Sequence, residues 1–304
     1  MDAPPLLFDR ALHRRRLDRA APGYAAAAFL KERAALDAVE RLEAIMRSFP
    51  VAVDLGARDG AFRRLLAGSP ARERIGLLIE TDLSPAMLAG RPGPSLVADE
   101  ERLPFAPESL DLVVSTLSLH WTNDLPGALI QVRRVLRPDG LFLGAILGGA
   151  TLTELRQALL QAEAELHGGA GPRVSPFADV MDAAHLLQRA GFALPVADID
   201  HVEVGYPGAL ELIADLRRMG ETNVLSERPR RPLSRALLAR AAEIYAARFA
   251  RPDGRVSASF DIVTMTGWAP HESQQKPLRP GSAKMRLADA LHTREQSAGE
   301  KPGG

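Results

Sequence analysis

Three acids at the ends of apolar runs, together with one glycine-bearing loop, are the residues of this chain best placed to do chemistry. The stretch Val51-Ala-Val-Asp-Leu-Gly-Ala-Arg-Asp-Gly60 sets Asp54, Gly56, Arg58 and Gly60 at the exit of a short apolar segment. A dinucleotide fingerprint would need glycines at 56, 58 and 61, and these positions hold Gly56, Arg58 and Ala61. An acid at Asp54 repels phosphate but suits a ligand with a positively charged amino group. S-adenosylmethionine is such a ligand, with an α-amino group and a sulfonium. About 20 residues beyond the loop, Asp82 is placed to bind two ribose hydroxyls. It is preferred to Glu80 because it directly precedes a capped helix. A carboxylate at Asp99 or Glu100 can accept a hydrogen bond from an adenine amino group, with Leu103 and Phe105 packed nearby. Each acid alone also reads as a solvated carboxylate near a helix start. Together with the loop they are far more specific.

Such residues must be presented by strand ends. Strands are expected at 51–55, 75–79, 95–98, 110–115 and 141–146, each a short apolar run. Helices follow at 61–67, at 84–88 (capped by Ser84, with Pro85 first) and at 124–136. Pro138-Asp-Gly140 reads as a turn. This alternation predicts an α/β, doubly wound, mostly parallel sheet, with ligands outside the carboxyl ends of its strands. Upstream, residues 22–47 show helical spacing and form an N-terminal helical cover. Downstream lie helices at 151–167, 179–189, 208–218 and 233–249. Strands at 196–204 and 256–266 extend the sheet antiparallel. The domain reading is 1–48 cover, 49–150 cofactor-binding core, 151–276 a part that completes the sheet and caps the substrate side, and 277–304 a disordered tail rich in glycine, proline and charge.

Composition narrows the function classes. With 38 basic and 38 acidic residues, no overall field draws the chain to nucleic acid or anionic membrane. The Arg-rich start (Arg10, Arg14, Arg15, Arg16, Arg19) reads as a solvated helix face, since Asp2, Asp9 and Asp18 argue against a targeting peptide. The absence of cysteine excludes disulfides, thiol nucleophiles and cysteine-held metal. No apolar run approaches a bilayer span, and no export signal is seen, which favours the cytoplasm. Four lysines among the 38 basic residues, with abundant alanine, suggest GC-rich coding and a bacterial source.

The motifs Asp54-x-Gly56-x-x-x-Gly60, Asp82-x-Ser84-x-x-Met87-Leu88, Asp99-x-x-x-Leu103-Pro-Phe105 and Leu110-Asp-Leu-Val-Val-Ser115 resemble class I S-adenosylmethionine-dependent methyltransferases. The run Leu136-Arg-Pro-Asp-Gly140 looks like that family's hinge. The resemblance implies a Rossmann-like fold and S-adenosylmethionine as cofactor. It implies a binding set of Asp54, Gly56, Arg58, Gly60, Asp82, Leu83, Asp99, Glu100 and Ser115. Arg58 departs from it, standing where the loop usually has its middle glycine. A side chain there either narrows the methionine end of the pocket or sets a guanidinium near the cofactor carboxylate.

After the fourth strand, Ser115-Thr-Leu-Ser-Leu-His120-Trp121 faces the substrate side. His120 has the chemistry of a general base and Trp121 that of a pocket wall, though both also suit packing against the next helix. The Asn-Pro-Pro-Tyr loop of enzymes that methylate nucleic-acid amino groups is absent, so a base substrate is disfavoured.

A narrower resemblance spans nearly the whole chain. Phe142 to Arg156, Val174-Ser-Pro-Phe177, Leu187 to Phe192, Leu216-Arg-Arg-Met-Gly-Glu-Thr-Asn223 and Gly267-Trp-Ala-Pro-His-Glu-Ser-Gln274 look like respiratory complex I assembly factors of the methyltransferase fold. The mitochondrial form is known as an arginine hydroxylase acting on an iron–sulfur subunit of complex I, and the resemblance implies a similar role here. A more distant resemblance is to the biotin-pathway methyltransferase acting on malonyl-acyl carrier protein. Within the shared segments Asp215 and Glu221 are candidates to pair an incoming arginine, and Trp268 and His271 to close its cleft. A surface salt bridge competes for Asp215, and core packing for Trp268.

Hydroxylation ordinarily needs a metal or organic cofactor. His201-Val-Glu203 has one half of a facial-triad spacing, with His185 or His271 to complete it, but it also fits an ordinary exposed strand face, and no metal site is expected there. The leading expectation is arginine modification of a protein partner, by methylation or hydroxylation. One alternative is carboxyl O-methylation of a small molecule or acyl carrier, and another is a non-catalytic assembly chaperone. No nucleic-acid partner and no integral membrane segment are expected; peripheral membrane contact during complex I assembly fits the leading reading.

Overall fold

The computed structural model describes residues 6–177, 179–275, 285, 289, 292 and 293. Its core is a seven-stranded sheet in the order β3-β2-β1-β4-β5-β7-β6. β1 (Phe49–Leu55), β2 (Ile75–Asp82), β3 (Ser95–Val97), β4 (Leu110–Thr116) and β5 (Leu136–Leu147) run parallel. β7 (Val256–Trp268) inserts antiparallel between β5 and β6 (Ala193–Tyr206). The expected doubly wound sheet with an antiparallel extension is therefore present. Its central strands are apolar runs because helices cover both of their faces.

On one face α5 (Leu125–Val135) and α7 (Val180–Arg189) bury Leu129, Val132 and Leu187 against Val113, Phe142 and Val263. On the other, α2 (Phe29–Glu43) and α3 (Ala61–Ala67) bury Val39, Leu42 and Phe62 against Ala52, Leu112 and Val114. Further along that layer lie α6 (Thr153–His167), α8 (Ala209–Arg218) and α9 (Arg235–Phe249). The alternation of Leu112, Val113 and Val114 between the faces is the period of two that a strand imposes.

Local chemistry sets the helix starts. Ser84 caps α4 (Pro85–Leu88) by accepting from the Met87 amide, and Asp124 caps α5 through the Gly127 amide. Asp9 does the same for α1 (Arg10–Ala20) through Leu12.

Two expectations need correction. The 137–140 stretch is not a turn before β5 but a loop-out within it. Leu110 pairs Leu136 and Leu112 pairs Leu141, so the extra residues leave the pairing with β4, while Asp139 and Gly140 bond to Ala269 on the other side. Nor is α1 simply a solvated basic face. Arg14, Arg15 and Arg19 are exposed, but His13 and Leu17 are buried and the Arg10 side chain is only 12% exposed.

The chain divides into two compact units, Met1–Pro270 and His271–Gly304. The sheet and all helices named above belong to the first. Nearly all of the expected tail at 277–304 lies outside the described residues.

Candidate functional site

The loop after β1 turns twice through the left-handed region, at Gly56 (φ 73°) and Gly60 (φ 72°). A Cβ at Gly56 would lie 2.2 Å from Ser118 Oγ, leaving no room for a side chain, and at Gly60 the left-handed backbone itself favours glycine. Arg58 adopts the same region at φ 52° without being glycine. Such a residue persists only where surrounding contacts hold it. Here its amide donates to Asp82 Oδ2 at 3.0 Å and its Nη1 to the same oxygen at 2.8 Å. Both side chains are fully buried. Asp82 Oδ1 accepts from the Ser84 amide at 2.8 Å. The guanidinium therefore reaches the acid that was expected to bind ribose.

At the end of β3, Glu100 is buried between Arg10 and the Ser118 hydroxyl, and Arg10 also reaches Asp99 at 2.6 Å. Burial alone would raise the Glu100 carboxyl, but Arg10 and Arg58 outweigh it and hold it below its ordinary value. Lys31 is buried on α2 and donates to the carbonyls of Gly56 (2.7 Å) and Thr116 (2.5 Å), tying the loop to the end of β4. Burial lowers its ammonium to about 8, with Asp54 opposing. Leu83 is buried beside Asp82, and Ser115 donates to the Leu55 carbonyl at 3.0 Å.

Around these groups lies a concentration of buried polar atoms without hydrogen-bond partners. They include both Asp54 oxygens, Arg58 Nε and Nη2, both His13 nitrogens, Arg10 Nε, Thr116 Oγ1 and His120 Nδ1. With Tyr206 as the exception, the buried unsatisfied side-chain atoms of the described residues come from this neighbourhood and the adjoining Asp59 and Arg91. Native interiors seldom leave such groups unpaired. Orphan acceptors on Asp54 and orphan donors on Arg58 complement the ammonium and carboxylate of an amino acid, which is the methionine end of S-adenosylmethionine.

Burial pushes the Asp54 carboxyl up to about 6, with Lys31 pulling it down and Glu80 raising it further. A raised folded-state value means that the folded protein binds more protons than the unfolded chain between about pH 4 and about pH 6. Stability should therefore fall by about 3 kcal/mol as pH rises through that window. Chemical denaturation across the window should show this slope in the wild type and lose it in Asp54→Asn. An unchanged slope in the variant would assign it to other groups.

The region expected to face a substrate is built from a 3₁₀ segment at Leu119–Trp121 and the loop after α8. Trp121 Nε1 donates to Glu221 Oε2 at 2.6 Å, and His120 Nε2 lies 3.4 Å from the same oxygen. Trp121 is wedged among Phe8, His13 and His120, with ring centroids 5.2, 5.0 and 5.4 Å away. A cavity of about 680 Å³ opens here, lined by Trp121, Glu221, Leu30, Leu155, Phe177 and Phe260 among others. Among the described residues Glu221 is its only acidic lining residue, beside seven arginines, and His120 is not part of the lining.

Other expected substrate residues fall elsewhere. Asp215 pairs with Arg218 at 2.6 Å and does not line the cavity. Trp268 is held in β7 opposite Leu141 and packs with the core of α2 and α3. His271 belongs to the second unit, its Nδ1 bonded to Ser273 at 2.7 Å. Nor does the facial-triad spacing assemble. His201 meets Asp261 at 2.7 Å, Glu203 accepts from Ser257, and no group of three or more potential metal ligands converges among the described residues.

Reading the sequence missed Arg10, His13 and Lys31. Lys31 carried a signal, being one of four lysines and standing beside Leu30 on an otherwise apolar helix face.

Comparison with known proteins agrees with this geometry. Residues 53–144 match the model of a methyltransferase domain. The chain is 42% identical over 290 residues to "Arginine-hydroxylase NDUFAF5, mitochondrial" of Danio rerio, covering 93% of this chain and 89% of that protein. It is 33% identical to "Malonyl-[acyl-carrier protein] O-methyltransferase" of Gallionella capsiferriformans, covering 87% of this chain and 92% of the relative. The crystal structure of BH2331 from Bacillus halodurans shares the fold at a TM-score of 0.53 and 15% identity, covering 78% of this chain and 99% of that one.

Proposed function

The chain belongs to the family of the NDUFAF5 arginine-hydroxylases, and from that membership we propose an S-adenosylmethionine-binding enzyme that hydroxylates an arginine of a protein, an iron–sulfur subunit of respiratory complex I. The observation that carries the arginine reading is Glu221. It is the sole acid of the cavity, with Oε2 fixed by Trp121 and Oε1 making no hydrogen bond among the described residues. A carboxylate held in this way offers a guanidinium a charge-assisted partner.

On the cofactor side, Asp54 would hold the amino group and Arg58 the carboxylate of S-adenosylmethionine. Asp82 and Glu100 would serve the ribose and adenine. When bound, the cofactor supplies an electrophilic methyl group on its sulfonium. Glu221, fixed by Trp121, would hold the guanidinium of the arginine to be modified.

Mass spectrometry of the complex I subunit, isolated with and without this gene, should show one oxygen gained on an arginine. A gained methylene would transfer the reading to methylation. An unmodified arginine alongside normal complex I assembly would end the enzyme reading and leave an assembly chaperone.

A second reading, carboxyl O-methylation, is favoured by the seven arginines of the cavity, which suit an anionic substrate. It is tested by transfer of a labelled methyl group to a free acid or acyl thioester. No described helix is long and apolar enough to cross a membrane. A bacterial source rests on composition and a cytoplasmic setting on the lack of an export signal, whereas the animal relatives are mitochondrial by name.

A further inference from the structure

The charge around Glu221 is the reverse of what a lone arginine needs. Arg19, Arg217, Arg230 and Arg231 line the same cavity and make no ion pair among the described residues. All four are exposed. Arg173 and Arg228 are neutralised within the fold, by Glu163 at 2.6 Å and Asp9 at 3.3 Å, and Arg16 bonds Thr222. An isolated guanidinium approaching Glu221 would meet these four charges and that of Arg16, whose partner Thr222 is neutral, five in all without an ion pair among the described residues. Below them the wall is aliphatic and aromatic, with Leu152, Leu155, Leu159, Ile213, Leu233 and Phe260. An apolar floor, an unpaired basic rim and one deep acid therefore specify three features of an occupant, and a single peptide segment can carry all three.

We propose that the substrate segment is an acidic amphipathic peptide. Its single arginine is directed at Glu221, its apolar side chains lie on the floor, and its carboxylates pair with Arg19, Arg217, Arg230 and Arg231. This deepens the arginine reading and rests on it for the role of Glu221. The rim acts by complementarity and steering, rejecting segments whose arginines have basic or neutral flanks.

The test uses the full chain and short fluorescein-labelled peptides read by anisotropy. The parent peptide has one arginine, leucines at helical spacing and three glutamates. Replacing its glutamates with glutamine should weaken binding about tenfold, and added salt should erase the difference. Arg230→Glu with Arg231→Glu should weaken the parent peptide similarly and restore affinity to a peptide carrying lysines in place of the glutamates. That reciprocal rescue separates charge pairing from damage to the fold.

Equal binding of the glutamate and glutamine peptides overturns the proposal. So does saturation of the cavity by dodecyl phosphate when no peptide binds, which would make it a lipid-anion site. Changing the peptide arginine to glutamine tests the underlying reading separately. If binding then stays acid-dependent and undiminished, the acidic segment stands and the arginine role of Glu221 falls.

Discussion

Asp82→Ala is expected to destabilise the protein by about 3–5 kcal/mol, and addition of Arg58→Gly to recover most of that loss. The pair is fully buried on both sides, with Nη1 2.8 Å from Oδ2. Removing one member of such a pair leaves an uncompensated charge in a dry site, the costly case for buried ions. Removing both leaves none, and glycine at 58 also relieves the left-handed backbone at φ 52°. Denaturant titration of the two single variants and the double variant gives the coupling directly. Additive losses would mean that the pair holds neither the loop nor the acid.

Arg58→Gly alone has a second consequence. It removes the proposed partner of the cofactor carboxylate, so S-adenosylmethionine should raise the melting temperature of this variant less than that of the wild type. An equal or larger rise would show that Arg58 does not hold that carboxylate.

Glu221→Gln is expected to reduce kcat/KM for the arginine substrate by about 100-fold or more, the scale of deleting one partner of a desolvated charge pair. Glutamine keeps an acceptor for Trp121 Nε1, so the Trp121 contact at 2.6 Å survives and the fold should be unharmed. S-adenosylmethionine binding should be unchanged, because Glu221 contacts His120 and Trp121 rather than the loop after β1. Full activity in the variant would remove Glu221 from the substrate site. Loss of cofactor binding would move it to the other side of Trp121.

The sheet was legible because its signals are local. Apolar runs that end in Asp54, Asp82 and Asp99 announce parallel strands, and Ser84 before Pro85 announces a capped helix. The 137–140 loop-out was not legible, because proline and glycine in a turn and in a bulge look alike until the partner strand is known. Glu221 was found within a shared motif, but Asp215, six residues before it, pairs with Arg218 on α8 and stays outside the cavity, a difference that only the folded chain shows. Arg10 and Lys31 act across 90 and 25 residues of chain, on Glu100 and on the Gly56 carbonyl. No window of local sequence carries contacts of that span. Arg58 was singled out by its type, but its choice of Asp82 belongs to geometry.

Lys31 and Arg10 also bear on transplantation. Each comes from a helix that precedes the sheet, and each delivers a cation into the strand ends. Asp54 and Glu100 would lose those counter-charges if the 49–150 stretch were excised or grafted into another scaffold. Phe8 and its neighbours are pinned in turn to the segment after α8, where the Asp9 amide meets the Val224 carbonyl at 2.8 Å. The chain's beginning thus stitches the cofactor end to the loop that carries Glu221. A recombined protein that keeps only the recognisable middle would inherit the motif without the charges that make it habitable.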